Sequence, residues 1–120
     1  MSEKGAIFIV GITVPKEYEE EFNEWSDNVH VPMGLKSKWI DKISRYKIAT
    51  LKEGDKLLEG DHAEYLTIGE FKNKEAFQAW RASPENKAMS DDQDQKWAGR
   101  DWRVVKFRTL YEPMGTWKNK

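Results

Sequence analysis

The sequence predicts an α+β fold whose elements follow in the order βαββαβ, with one extra helix before the last strand. Strand-like and helix-like apolar patterns alternate along the chain in that order, and prolines and glycines separate them. Six Trp, five Phe and four Tyr also argue against disorder, since disordered chains are poor in aromatic residues. This order is ferredoxin-like, a four-stranded sheet with helices on one face. We expect residues 1–120 to form one such domain.

The first strand is predicted over residues 6–14, a short segment rich in β-branched side chains, and Pro15 ends it. A helix follows, because acidic residues suit its beginning and an apolar stripe recurs at helical spacing. The stripe consists of Tyr18, Phe22, Trp25 and Val29. Pro32 and Gly34 are expected to end this helix.

The next two strands are predicted over residues 39–48 and 63–71. In the first of these strands, polar and apolar residues alternate without giving a clearly apolar face. The sequence therefore leaves open which of its side chains point towards the helices. Residues 51–62 between the strands carry two glycines and many charges, which is typical of a loop.

Two further helices are indicated by their first residues. Asn73 is a good N-cap for a helix that carries Ala76, Phe77 and Trp80, and Ser83 followed by Pro84 begins another helix that runs to about residue 97. The last strand is predicted over residues 102–111.

Both faces of the first strand are largely apolar, and helices cover only one face of this kind of sheet. No remaining segment is long enough to cover the other face. The sequence therefore predicts a homodimer in which two sheets pack face to face as a barrel-like sandwich.

Composition excludes several classes of protein. Lys and Arg number 20 and Asp and Glu 21, a balance that argues against binding to nucleic acid. No apolar run or leader-like segment indicates a membrane partner or export, so we expect a soluble, cytoplasmic protein. The absence of cysteine excludes disulfides, thiolate chemistry and Cys-bound metals.

Residues 21–32 read E-F-N-E-W-S-D-N-V-H-V-P. This segment resembles the E-F-x-x-W-Y-D-x-E-H-V-P helix of the EthD-like group of dimeric α+β barrel proteins, although Ser26 stands where that pattern often has Tyr. Phe71 and the downstream Phe77, Trp80 and Ser83-Pro84-Glu85 resemble the second half of the same group. The resemblance implies a dimer and a small-molecule activity, since members include polyketide cyclases, lactone isomerases, cofactor-free monooxygenases and haem-degrading enzymes.

His30 is the first candidate for a catalytic residue. At about 100° per residue it lies about 110° from the centre of the apolar stripe, at the edge of the buried face. Histidine is the side chain best suited to proton transfer near neutral pH. Asp27, one turn earlier, could orient the imidazole. The alternatives are that His30 caps the end of the helix and that Asp27 is a solvated carboxylate.

Aromatic and basic residues on the strands are candidates for binding a small apolar or aromatic ligand. Tyr46, Tyr65 and Arg45 could point into a cavity under the sheet, and Trp39 and Trp102 could line it; ordinary packing is the alternative for each. The two histidines, His30 and His62, lack a ligand spacing, and no glycine-rich phosphate loop is present, so no metal and no cofactor are predicted.

These features predict an enzyme that performs acid/base isomerisation, cyclisation or elimination on an apolar aromatic or polyketide-like compound. A cofactor-free or haem-dependent monooxygenase of the same fold is one alternative. A non-catalytic ligand-binding protein, in which His30 only caps a helix, is the other.

Overall fold

The computed structural model describes residues 5–49 and 60–119, and its four strands form one antiparallel sheet. The strands lie in the order β2-β3-β1-β4 and comprise β1 Ile7–Thr13, β2 Ile40–Lys47, β3 Tyr65–Phe71 and β4 Val104–Tyr111. The predicted ferredoxin-like α+β fold is confirmed. Most of the predicted loop, residues 51–59, lies outside the described residues.

The helices are α1 Glu19–Trp25, α2 Val31–Gly34, α3 Lys74–Arg81 and α4 Pro84–Lys96. A short 3₁₀ turn, Lys16–Tyr18, precedes α1, and one π-helical turn, Ser26–His30, joins α1 to α2. The first predicted helix is thus continuous but not regular.

Side-chain caps fix the beginnings of α3 and α4, as the sequence predicts. The side chain of Asn73 accepts a hydrogen bond from the backbone N–H of Ala76 at 2.8 Å. Ser83 accepts in the same way from the N–H of Asn86 at 3.1 Å, and Pro84 follows it at the first helical position. Each cap satisfies an N–H group that has no partner within its own helix.

Two buried clusters join the helices to one face of the sheet. The first contains Ile12, Val14, Phe22, Trp25, Tyr65 and Trp97. The second contains Ile40, Phe71, Ala76, Phe77, Trp80 and Met89. Aromatic rings dominate both clusters, which explains how a chain with only 38% hydrophobic residues forms a core.

The other face of the sheet carries apolar side chains that none of the described helices covers, and we call it the open face. Ile9 lies on this face opposite Ile68. The ring of Phe107 lies directly over Gly11, where an added Cβ would come within 2.4 Å of it. Ile9, Ile68 and Phe107 are all only partly buried. No helix among the described residues is long and apolar enough to cross a membrane.

Candidate functional site

A cavity of about 250 Å³ lies between the sheet and the helices that cover it. Its apolar walls include Val10, Phe22, Trp25, Phe71, Met89 and Trp102. Polar side chains reach it from the π-helical turn, through Ser26 and His30, and from the sheet, through Arg45 and Thr67. Apolar walls with a few convergent polar groups are typical of a small-molecule site.

The π-helical turn is what brings His30 into this cavity. Residues five apart share a face in such a turn, and the rings of Trp25 and His30 stack with their centroids 4.4 Å apart. A regular helix would instead place Val29 in the buried stripe. Val29 is 37% exposed, so its predicted position in the stripe is wrong. Turns of this kind occur frequently at functional sites.

The imidazole of His30 is held in its neutral form. Its Nδ1 is buried and has no hydrogen-bond partner among residues 5–49 and 60–119. The pKa of His30 is lowered from 6.5 to about 4, mainly by burial and also by the positive charges of Arg103 and Arg45, against which Asp92 acts. At neutral pH the ring therefore keeps a free lone pair.

The helix-cap alternative for His30 does not match this geometry. The helix continues for four residues beyond His30, through α2, and the buried Nδ1 donates to no carbonyl oxygen of residues 5–49 and 60–119. The positive charge that a C-terminal cap favours is also disfavoured here by burial. His30 is a cavity residue.

Asp27 does not orient His30. Its carboxylate accepts a hydrogen bond from the guanidinium of Arg45 and is 62% exposed. The contact between Asp27 and His30 that the helical spacing predicts is lost because the π-helical turn changes which residues lie side by side. Asp27 therefore positions Arg45.

Arg45 lies where its charge is compensated. Besides Asp27, it donates a hydrogen bond to Oδ1 of Asn23 at 2.6 Å, and its guanidinium lies 5.2 Å from the centre of the Phe22 ring. It lines the cavity, as the sequence analysis considered.

Tyr46 and Trp39 lie away from the cavity. A register shift in β2 between Ile40 and Lys42 sets the facing that the alternation left ambiguous. Arg45 consequently faces the helices, while Tyr46 is 55% exposed opposite Leu66 on the open face. Trp39, just before β2, is 40% exposed. Neither residue lines the cavity, so both binding predictions are corrected.

The remaining two binding candidates differ in position. Trp102 lines the cavity and stacks on Trp97, with ring centroids 4.7 Å apart. Tyr65 is buried in the first core cluster, where its hydroxyl donates to Glu19 and accepts from Asn23 at 3.2 Å. The hydroxyl of Tyr65 is therefore occupied by two protein partners and does not line the cavity.

Sequence reasoning missed three arginines that line the cavity, Arg81, Arg103 and Arg108. Arg108 lies opposite Val10 on the helix-covered face of the sheet. The available signal was a charged residue two positions before Leu110, on the same face of β4. Among the described residues, no group of three or more His, Asp or Glu side chains is arranged to hold a metal ion.

A family model described as "Domain of unknown function (DUF4286)" matches residues 5–114. The chain belongs to this family. No curated protein matches this DUF4286 chain in sequence.

Solved structures share the fold of the DUF4286 chain at low identity. An EthD family protein from Bacillus halodurans has a TM-score of 0.64 at 18% identity, covering 91% of this chain and 99% of its own. SnoaB, a cofactor-independent oxygenase from Streptomyces nogalater, has a TM-score of 0.53 at 16% identity, covering 92% and 94%. A dimeric protein of unknown function and ferredoxin-like fold from Bacteroides fragilis has a TM-score of 0.54 at 15% identity, covering 89% and 94%. These similarities confirm, at the level of the fold, the resemblance to the EthD-like group of dimeric α+β barrel proteins.

Proposed function

We propose that the protein is a small-molecule enzyme in which His30 acts as a general acid/base on an apolar aromatic compound. The observation that carries the proposal is the buried, unpartnered Nδ1 of His30 in a cavity with aromatic walls. A titratable group whose pKa is strongly shifted by burial, and which lies in a cleft, is a candidate for catalysis.

The reaction proposed is a proton transfer that leads to isomerisation, cyclisation or elimination. The neutral imidazole accepts a proton from a carbon beside a substrate carbonyl, and the resulting imidazolium returns it to another atom of the substrate. The stack on Trp25 fixes the plane of the imidazole, and the apolar walls limit the access of water. No metal or cofactor takes part in this mechanism.

The size of the cavity limits the substrate. A cavity of about 150 Å³ is known to hold benzene, so about 250 Å³ accommodates one or two aromatic rings. A porphyrin is far larger than this. The residues present therefore do not fit a haem, and the haem-dependent alternative is not proposed.

Oxygenation without a cofactor is a second candidate, favoured by the fold that the chain shares with SnoaB. It requires an electron-rich substrate that reacts with oxygen after losing a proton, a step for which the same base, His30, is available. The two candidates differ in oxygen consumption. Both candidate functions are compatible with the cytoplasmic location that the sequence predicts.

Hydrogen–deuterium exchange tests the proposal. One- and two-ring aromatic ketones, lactones and keto acids are incubated with the protein in D₂O, and NMR follows exchange at the carbon beside the carbonyl. The proposal expects accelerated exchange for at least one class, and oxygen uptake in the same assay would identify the second candidate. Saturable binding without exchange for every compound would favour a non-catalytic ligand-binding protein.

The proposal includes a homodimer that covers the open face. Ile9, Ile68 and Phe107 form an apolar surface there, and such surfaces on soluble chains commonly meet a partner. The Bacteroides fragilis protein of similar fold is described as dimeric. A second copy is the partner that the sequence predicts.

Substitution of Ile9→Lys is expected to give monomers or aggregates, because it places a charge in the proposed interface. The matched control is Gln78→Lys, which adds the same group at an exposed position of α3. Light scattering after size-exclusion chromatography measures the mass of each variant, and circular dichroism checks that it is folded. Elution of the wild-type protein as a compact monomer would contradict the prediction.

A further inference from the structure

The charged residues that line the cavity are all basic, as far as the described residues 5–49 and 60–119 show. Four of its lining residues are arginines, Arg45, Arg81, Arg103 and Arg108, and none is Asp or Glu. The chain as a whole is balanced, with a net charge of −1. The positive charge is therefore a local property of the cavity.

Of these four arginines, only Arg45 forms an ion pair within the part of the chain that the structure describes. Arg45 pairs with Asp27. Among residues 5–49 and 60–119, no carboxylate lies within 4.0 Å of the guanidinium of Arg103 or Arg108, and neither side chain donates a hydrogen bond to another protein group. Arg108 is exposed, but Arg103 is partly buried, and a partly buried cation without a counter-charge is unfavourable.

Arg103 shows this imbalance most clearly. It is partly buried, and its guanidinium lies 4.7 Å from the centre of the Trp102 ring. Burial lowers the pKa of Arg103, and the charge of Arg108 lowers it further, whereas Asp94 raises it. Both arginines line the same cavity, so their positive charges repel one another. A negative charge between them would remove that repulsion.

We propose that the cavity binds a carboxylate attached to one or two aromatic rings, with Arg103 and Arg108 holding the carboxylate. The planar guanidinium matches a carboxylate with two parallel hydrogen bonds. The walls formed by Phe22, Trp25 and Trp102 accept the rings, and the cavity volume sets their number. This names the substrate class of the proposed enzyme and so rests on that function, but binding of the anion requires no turnover.

The bound anion would also act on the catalytic histidine. Arg103 and Arg45 disfavour the protonated imidazole of His30, and a carboxylate beside Arg103 offsets that effect. The base is then strengthened when substrate is present. By holding the carboxylate, Arg103 and Arg108 would also position the substrate for the reaction at His30.

Calorimetry with 2-naphthoate and its neutral amide, 2-naphthamide, tests the proposal at pH 7. We expect 2-naphthoate to bind at least about tenfold more tightly than 2-naphthamide. Arg103→Gln and Arg108→Gln should each raise the Kd of 2-naphthoate by about tenfold or more and leave that of 2-naphthamide within about twofold. The matched control, Lys106→Gln, removes a positive charge from an exposed position of β4 outside the cavity and should change neither Kd.

Three results would overturn the proposal: equal affinity for acid and amide, an effect of Lys106→Gln as large as that of the cavity arginines, or no saturable binding of 2-naphthoate at millimolar concentration. If Arg103→Gln does not fold, Arg103→Lys replaces it and is expected to weaken binding of the acid alone, because Lys lacks the planar pair of donors. His30→Gln should retain 2-naphthoate binding. Activity and 2-naphthoate binding are measured separately in this variant. A loss of one with the other intact shows whether the proposed function or the anion site has failed.

Discussion

His30→Gln is expected to lower turnover by about 10²–10⁴-fold, the usual contribution of a positioned general acid/base. The glutamine side chain is polar and of similar reach but cannot take up a proton near neutral pH. Stability should stay within about 1 kcal/mol of wild type at pH 7, since the neutral ring loses only its stack on Trp25. Exchange rates from NMR measure the turnover, and urea denaturation measures the free energy of unfolding.

The matched control for this variant is His62→Gln. His62 is exposed, and its Nδ1 lies 3.1 Å from the carbonyl oxygen of Gly60, outside the cavity. This substitution should leave the rate unchanged. If His30→Gln retains most of the wild-type rate, His30 is structural, and Arg45 on the sheet becomes the next residue to test.

Trp25→Ala is expected to lower the free energy of unfolding by roughly 3–5 kcal/mol, as large aromatic-to-alanine changes in cores do. The side chain is only 6% exposed, and its ring lies 5.8 Å from those of both Trp97 and Trp102. Its Nε1 also donates a hydrogen bond to Asp92 at 3.0 Å, which the substitution removes. Trp25 is a core residue, as the sequence predicts, and also a wall of the cavity.

Urea denaturation measures this loss, with Trp117→Ala as the control. Trp117 is 87% exposed, so its removal should change stability by less than about 0.5 kcal/mol. A Trp25→Ala protein with unchanged stability but no ligand binding would contradict the core role.

Sequence patterns predicted the fold well because they reflect local physics. The β-branched run of β1, the cap residues Asn73 and Ser83, and the aromatic spacing of α3 each determine structure within a few residues. Their order along the chain then indicated the sheet and the face that the helices cover.

The candidate site was harder to predict, because it depends on irregularities. The π-helical turn that turns His30 inward leaves no mark in hydrophobic periodicity, which assumes a regular helix. The register shift in β2 likewise decided the opposite facing of Arg45 and Tyr46. The arginines of the cavity come from distant segments, and only the folded chain brings Arg81, Arg103 and Arg108 to one place.

The central claim is that His30 is a neutral base whose Nδ1 is buried, and an NMR titration of its imidazole tests this most directly. Because the pKa is lowered from 6.5 to about 4 on folding, the unfolded chain takes up this proton first as the pH falls. The contribution of His30 should therefore lower the free energy of unfolding progressively as the pH falls from 6.5 to about 4, and it should not change above pH 6.5. The account predicts that the ring stays neutral at pH 6 in the folded protein and titrates with a midpoint near 4, whereas the same ring in urea titrates near 6.5. A midpoint at or above 6.5 in the folded protein would contradict it.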